Sequence, residues 1–421
     1  MNEISQEFQI LKIFGEVISF FWWIILPLCF YPIFKILWVD FVAFYSANSW
    51  NASQEWIFLE AIPPRDIERS PKIMENFFTG LTGVLTTYNT FDEYLKGAFW
   101  HDRFSMELVS EEGRIHFYVR AQKKYRNMVE AQLYAQYPDI EILETEDYYK
   151  NFPKIIPNKN WDLWGTDFEL VSDDPIPIKT YDKFEEMVTG ETIDPMAAIT
   201  EVLGKLGPGQ HLWLQLVLQP LPEANKKKYD AVIKKLKGEP VIAPKGIWES
   251  IIELFSVFFR AFWGPVEFGS VEKKDLQPLE FRLSPGEKEL LKATEENLGK
   301  NIFKTKMRMI YLGRRENFDR SFVGAFIGAL KQFNDIGFNQ IKPEDISKTY
   351  GIIFAKEKRA DFRKRKIYDR YRRRNMDGKN IIFSTKELAT IFHFPDMNVK
   401  TPAIPRVASK LGSAPINLPV E

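Results

Sequence analysis

Cysteine is nearly absent from this 421-residue chain: Cys29 is the only one, and it lies inside an apolar run. That excludes a disulfide framework and leaves the rest of the chain without a thiolate nucleophile or ligand. Histidine is almost as scarce. His101, His116, His211 and His393 are the full set, and no two stand at the spacing of a helical or finger-type zinc site. Nucleotide-phosphate loops are missing too, because Gly204-Lys205, Gly299-Lys300 and Gly378-Lys379 lack both the following Ser or Thr and the upstream glycine of a Walker A loop. There is no G-x-S-x-G elbow, H-E-x-x-H, C-x-x-C or dinucleotide fingerprint. Glu141, Glu144, Glu146 and Asp147 do not follow the spacing of a calcium loop. These absences predict a protein that is no enzyme and carries no cofactor or metal. Net charge is lacking as well: Lys plus Arg and Asp plus Glu number 57 each, so any partner must be chosen by local clusters.

What is present begins with Val17 to Phe34, 18 residues without a charge, which Ile36 to Val39 extend past Lys35. A bilayer core takes about 20 mostly apolar residues, so residues 17–44 are expected to form a single transmembrane helix behind a polar tail over 1–16. The chain would then be a single-pass cell-membrane protein with its water-soluble part in the cytoplasm. A buried core helix is the alternative. A cleaved signal peptide fits poorly, since Glu3, Glu7 and Glu16 outnumber Lys12 and no small-x-small site follows.

The remainder reads as α+β. Over residues 51–150 the order is a strand at Trp56–Ile62, a Ser70-Pro71 helix opening, and alternating Phe104, Met106 and Leu108. After a turn at Ser110–Gly113 come Ile115, Phe117 and Val119, then a helix through Tyr125, Met128, Val129 and Leu133, and a strand at Ile140–Thr145. Such a β-α-β-β-α-β order is the split βαβ, ferredoxin-like motif. Residues 151–345 repeat it less completely. A Trp- and Pro-rich connector precedes a helix from Asp194-Pro195, a strand through Leu212, Leu214, Leu216 and Leu218, a capping box at Ser284-Pro285 with Glu287, a strand at Phe303–Leu312 and a helix at Asn317–Phe333. Gly324 and Gly328 are expected to allow close packing there. The fold class predicted is thus a transmembrane helix followed by two ferredoxin-like units.

The second unit carries a helical insertion at 222–283. Its lysines, from Lys226 to Lys237, crowd a short amphipathic helix, and Ile247–Trp263 is apolar on all but one stripe. Trp248, Phe255, Phe258, Phe259, Phe262 and Trp263 are its candidate membrane contacts; packing between domains or subunits is the other reading. The strongest charge feature is the 346–380 segment, where Lys356 to Lys379 holds twelve basic and four acidic residues. Arg363, Lys364, Arg365, Lys366, Arg370, Arg372, Arg373 and Arg374 are candidate polyanion ligands, with Phe362, Ile367, Tyr368 and Tyr371 interleaved for stacking or packing. A solvated helix docked by its aromatic side is the plainer reading, and DNA and anionic lipid headgroups are the alternatives.

Residues 381–421 open with the capping box Ser384–Glu387, giving FSTKELATIFHFP, and run out as TPAIPRVASKLGSAPINLP. In that stretch His393 reads as a packing or capping residue. The pairing of these strings, with RIHFYVRAQKKYRNMVEAQLYAQYPDIEI, DPIPIKTYDKFEEM and FVGAFIGALKQFN, resembles the membrane-anchored region ahead of the motor domain in bacterial type IV secretion or conjugation-like DNA-transfer ATPases. The resemblance covers about Trp56 to Pro419 and rests on strings that are not catalytic signatures. It implies a non-catalytic assembly module for DNA translocation, acting with a separate motor ATPase and as a homo-oligomer, with Ile404, Val407, Leu411, Ile416 and Leu418 contacting the partner. A membrane-tethered nucleic-acid-binding protein using Lys356–Lys379 is the second reading, and an enzyme without a recognisable motif the third.

Overall fold

The computed structural model describes residues 53–64, 67, 70–85, 102–184, 193–237, 283–350, 356–396, 399 and 403–406, with scattered helical positions between 16 and 37. Two compact units emerge, Met1–Trp56 with Leu85–Asp102, and Ile57–Val84 with Arg103–Glu421. In the first, the described positions between Glu16 and Leu37 are helical and exposed. Among the described residues no helix is long and apolar enough to cross a membrane. This corrects the expected transmembrane anchor and the single-pass membrane localisation, since the described helical positions between Glu16 and Leu37 do not make up an apolar helix of the length a bilayer core requires. The in-plane candidate Ile247–Trp263, with all six of its candidate contacts, lies outside the described residues.

The second unit is built on β1 (Trp56–Ile62), β2 (Phe104–Glu111), β3 (Arg114–Gln122), β4 (Glu141–Glu144), β5 (Trp161–Leu170), β6 (Gln210–Leu221), β7 (Ile302–Arg314), β8 (Ile341–Pro343) and β9 (Ile381–Ser384). They form one nine-stranded sheet in the order β4-β1-β3-β2-β6-β7-β5-β8, with β9 paired to β7. The β2–β3 hairpin is antiparallel, with Met106 opposite Val119 and Leu108 opposite Phe117, as its alternating pattern predicts. Its turn uses Glu112 at φ 51° and Gly113 at φ 89°, the positive pair that matches strand twist. A Cβ on Gly113 would meet the Leu206 carbonyl oxygen at 2.8 Å, so glycine is demanded twice over there.

The two ferredoxin-like units expected from the sequence are corrected by the seam between β2 and β6, which pair antiparallel from Phe104 opposite Leu218 to Glu111 opposite His211. The edge that would end a separate four-stranded sheet is consumed, so the sheet is continuous and not ferredoxin-like. Part of the Trp- and Pro-rich connector is itself a strand, β5, paired to β7.

Eight helices of the second unit are described: α1 (Lys72–Leu81), α2 (Arg126–Gln136), α3 (Met196–Gly204), α4 (Asp230–Leu236), α5 (Pro285–Gly299), α6 (Ser321–Leu330), α7 (Lys356–Arg372) and α8 (Thr385–Ile391). Helices α1, α2, α3, α6 and α8 contribute to an apolar core on one face of the sheet, with Met106, Leu108, Phe117, Leu214, Leu216, Phe303 and Met309 beneath them. Both capping boxes form: Ser284 with Glu287 opens α5, and Ser384 with Glu387 opens α8. Gly324 and Gly328 face open space, which corrects their expected packing role. The segment after α8 returns to this core. Phe394 packs edge-on to Phe117 and Tyr137, the Ile115 amide donates to the Ala403 carbonyl at 2.9 Å, and Ile404 is buried. Ile404 therefore serves this chain's own core, while Val407, Leu411, Ile416 and Leu418 lie outside the described residues.

Candidate anion-binding site

The opposite face of the sheet is covered by α7, the basic helix. Its 17 residues contain neither glycine nor proline, and Lys364, Ile367, Tyr368 and Tyr371, at i, i+3, i+4 and i+7, form its buried side. Ile367, Tyr368 and Tyr371 join Phe58, Val109, Trp213, Ile310 and Leu312 in a second apolar cluster. The Tyr371 ring lies 5.5 Å from Trp213, and the Tyr368 hydroxyl donates to the Pro153 carbonyl at 3.0 Å. Lys364 reaches Asp162 at 2.6 Å.

Below the carboxyl end of α7 the sheet turns polar. Tyr118, Glu107, Gln215, Arg308 and Asp167 are successive cross-strand neighbours on β3, β2, β6, β7 and β5, and all five are buried. Buried charges persist only where they are paired. Arg374 supplies one pairing, donating to Glu107 at 2.8 and 3.1 Å and also to Asp147. The Tyr148 hydroxyl donates to Glu107 at 2.7 Å and lies 2.6 Å from that of Tyr371. Burial alone would raise the Glu107 carboxyl, but the Arg374 guanidinium, with hydrogen bonds from Arg374, Ser105 and Tyr148, outweighs it and holds the group below its usual range. Asp167 is lowered in the same way, burial being overcome by Arg308 and Lys306, at 2.5 and 2.9 Å. Arg374 sits at φ 48°, a left-handed conformation that costs a non-glycine residue about 1–2 kcal/mol. Its side chain explains its presence, since a glycine would leave Glu107 without its cation.

The eight predicted anion ligands are thus divided. Arg374 is buried in ion pairs, and Lys364 is spent on Asp162. Arg372 donates to the Lys154 carbonyl at 3.1 Å and lies over the Tyr149 ring, and Arg373 pairs with Asp369 at 3.1 Å. Arg365 is exposed on the helix. Arg363, Lys366 and Arg370 are brought together, with Lys358 and Arg359, along a cleft of about 470 Å³ whose remaining lining is Ile346, Ser347, Phe362 and Ile367. Arg363 donates to the Tyr350 carbonyl at 2.9 Å, which fixes it at the rim. Arg370 lies 3.9 Å from Asp167, a carboxylate already served by Arg308 and Lys306. Sequence reasoning missed Glu107, Gln215, Arg308 and Asp167. For three of them the signal was a charged or amide residue between apolar neighbours in a strand: Glu107 in SMELV, Gln215 in LQLVLQ and Arg308 in KTKMRMI.

The described histidines have structural places. His393 is buried, 2.7 Å from the Ala389 carbonyl and 2.9 Å from Asp194. His211 lies edge-on to Phe152 and is pushed down to about 4 by burial. His116 lies 2.6 Å from Glu60. Among the described residues no group of three or more His, Cys, Asp or Glu is placed to hold a metal ion.

A family model described as "Domain of unknown function (DUF8128)" matches residues 48–406. The chain belongs to the DUF8128 family. The match takes in every strand of the sheet and all of α7. No curated protein matches the chain. The DUF8128 match gives no link to type IV secretion or conjugation, and with the membrane anchor and the paired units corrected and Ile404 turned inward, that expectation is withdrawn.

Proposed function

We propose that this DUF8128 protein is a non-catalytic module that binds a polyanion in the cleft along α7. The observation that carries the reading is the lining itself: Lys358, Arg359, Arg363, Lys366 and Arg370 converge on one concavity, and no carboxylate is among its described lining residues. Like charges gathered on a concave wall focus their field and raise the local concentration of a counter-charged ligand. The burial of Arg374 and Lys364 supports the same reading from the other side. The chain pairs the cations it buries, Arg374 with Glu107 and Asp147 and Lys364 with Asp162, and sets other basic residues of the same helix along the cleft. Such a module holds or positions a phosphate-bearing polymer and needs no proton-transfer pair.

Binding of inorganic polyphosphate by the full chain tests this. Polyphosphate is expected to bind and to be released steeply by salt, since exposed charges are screened within about 8–10 Å at physiological ionic strength. Lys358→Glu with Lys366→Glu is expected to weaken binding by at least about tenfold without unfolding the protein, because both side chains are exposed. Undiminished binding by that variant places the anion elsewhere and removes the reading.

A further inference from the structure

Phe362 is the one aromatic side chain among the described lining residues of the cleft, and it is 67 % exposed. The other two aromatic residues of the helix, Tyr368 and Tyr371, are buried against the sheet. Holding a phenyl ring in water forgoes the gain of burying it, and α7 already has a complete docking side without it. Its neighbours on the helix surface, four residues away on either side, are Lys358 and Lys366. At 1.5 Å rise per residue each stands about 6 Å along the axis from Phe362. Ile346, which is 82 % exposed, also lines the cleft. The order along this stretch of the helix is therefore cation, ring, cation.

We infer that the polymer taken by this cleft is single-stranded nucleic acid, with Phe362 as the stacking platform for a base and Lys358 and Lys366 on the flanking phosphates. The inference rests on the polyanion reading above and names its ligand. A ring between two cations matches a chain that alternates flat apolar groups with phosphates, and stacking is sequence-tolerant because every base has a π-face. A duplex keeps its bases stacked inside and offers the ring nothing. A planar bilayer cannot follow a concavity to its inner end, where Arg370 is only partly exposed beside Ser347 and Ile367. With Lys358 and Lys366 on the flanking phosphates, the logarithm of affinity for a single strand should fall against log salt with a slope of about −1.4, from the coefficient of about 0.7 per phosphate neutralised.

Four probes test it on the full chain: a labelled oligothymidylate, a duplex of equal length, inorganic polyphosphate, and phosphatidylserine vesicles. The oligothymidylate is expected to bind most tightly. Phe362→Ala should weaken it about tenfold while leaving polyphosphate affinity unchanged, and Phe362→Trp should restore it. Equal loss for oligothymidylate and polyphosphate, or no loss for either, shows that the ring reads no base and overturns the inference while the polyanion reading stands. Tighter binding of the duplex or of the vesicles overturns it as well. Failure of polyphosphate and oligothymidylate together, with the protein folded, removes both readings.

Discussion

Both faces of the sheet bury carboxylates completely, and they do so by opposite means. On the face under α7, Glu107 meets the Arg374 guanidinium and is held below its usual range. On the helical face, Glu387 has only neutral donors: the amides of Ser384 at 2.9 Å and Ile178 at 3.1 Å, and the Asn297 side chain at 3.1 Å. Burial outweighs them and pushes its carboxyl up to about 7. The contrast teaches that burial does not decide ionisation; the formal charge of the partner does. It also separates the labours of the faces, one closed by apolar packing and neutral caps, the other by ion pairs that end beside an open cationic cleft.

The largest effect should come from breaking the ion pair. Arg374→Met is expected to destabilise the fold by about 3–5 kcal/mol, the cost of leaving a buried partner charge uncompensated. Chemical denaturation measures it. Adding Glu107→Gln to that variant should cost less than the sum of the two single changes, and full additivity would show that the pair is not coupled. On the apolar face, Phe117→Ala should cost about 3–4 kcal/mol by loss of transfer energy and formation of a cavity, with no such coupling to Arg374.

A pH series sharpens the comparison further. Glu387 titrates near 7 in the folded chain and at its ordinary 4.5 when unfolded. The folded state therefore holds the extra proton between those values, and this group's contribution to stability declines as pH rises through that window. Glu107 and Asp167 run the other way, since their folded values are lowered. Their contribution is complete above the ordinary carboxylate range and is lost as pH falls below it. Thermal midpoints followed over pH should show the decline toward neutrality in the parent protein and its loss in Glu387→Gln. An unchanged slope in that variant would place the titration in another residue. The smallest effect belongs to Lys366→Ala, which should leave stability within about 0.5 kcal/mol, as exposed surface changes do.

The helical face was legible in the sequence because its signals are local. The β2–β3 hairpin, α1 and the capping boxes of α5 and α8 each follow from residues within a few positions of one another. The seam was not legible. Leu212, Leu214, Leu216 and Leu218 announce a strand, but Trp213 and Val217 between them are buried too, and a strand covered on both sides carries no mark of which edge it joins. Nor does the run of basic residues from Lys356 reveal that Lys364 and Arg374 turn inward while Lys358 and Lys366 do not. That division depends on Asp162, Glu107 and Asp147, which lie some 200 residues or more earlier in the chain.

The placement of α8 has a consequence for how the chain is made. It packs against α1, and Phe392, Phe394 and Ile404 lie in the same core as Phe77 and Phe78. A ribosome releases the early residues long before the late ones, at about 5–20 residues per second. For the whole interval between, the phenylalanines of α1 are without the helix that covers them. The hydrophobic interior is therefore completed only as the last part of the matched domain emerges, and the growing chain is left with an open apolar face of the kind that chaperones shield.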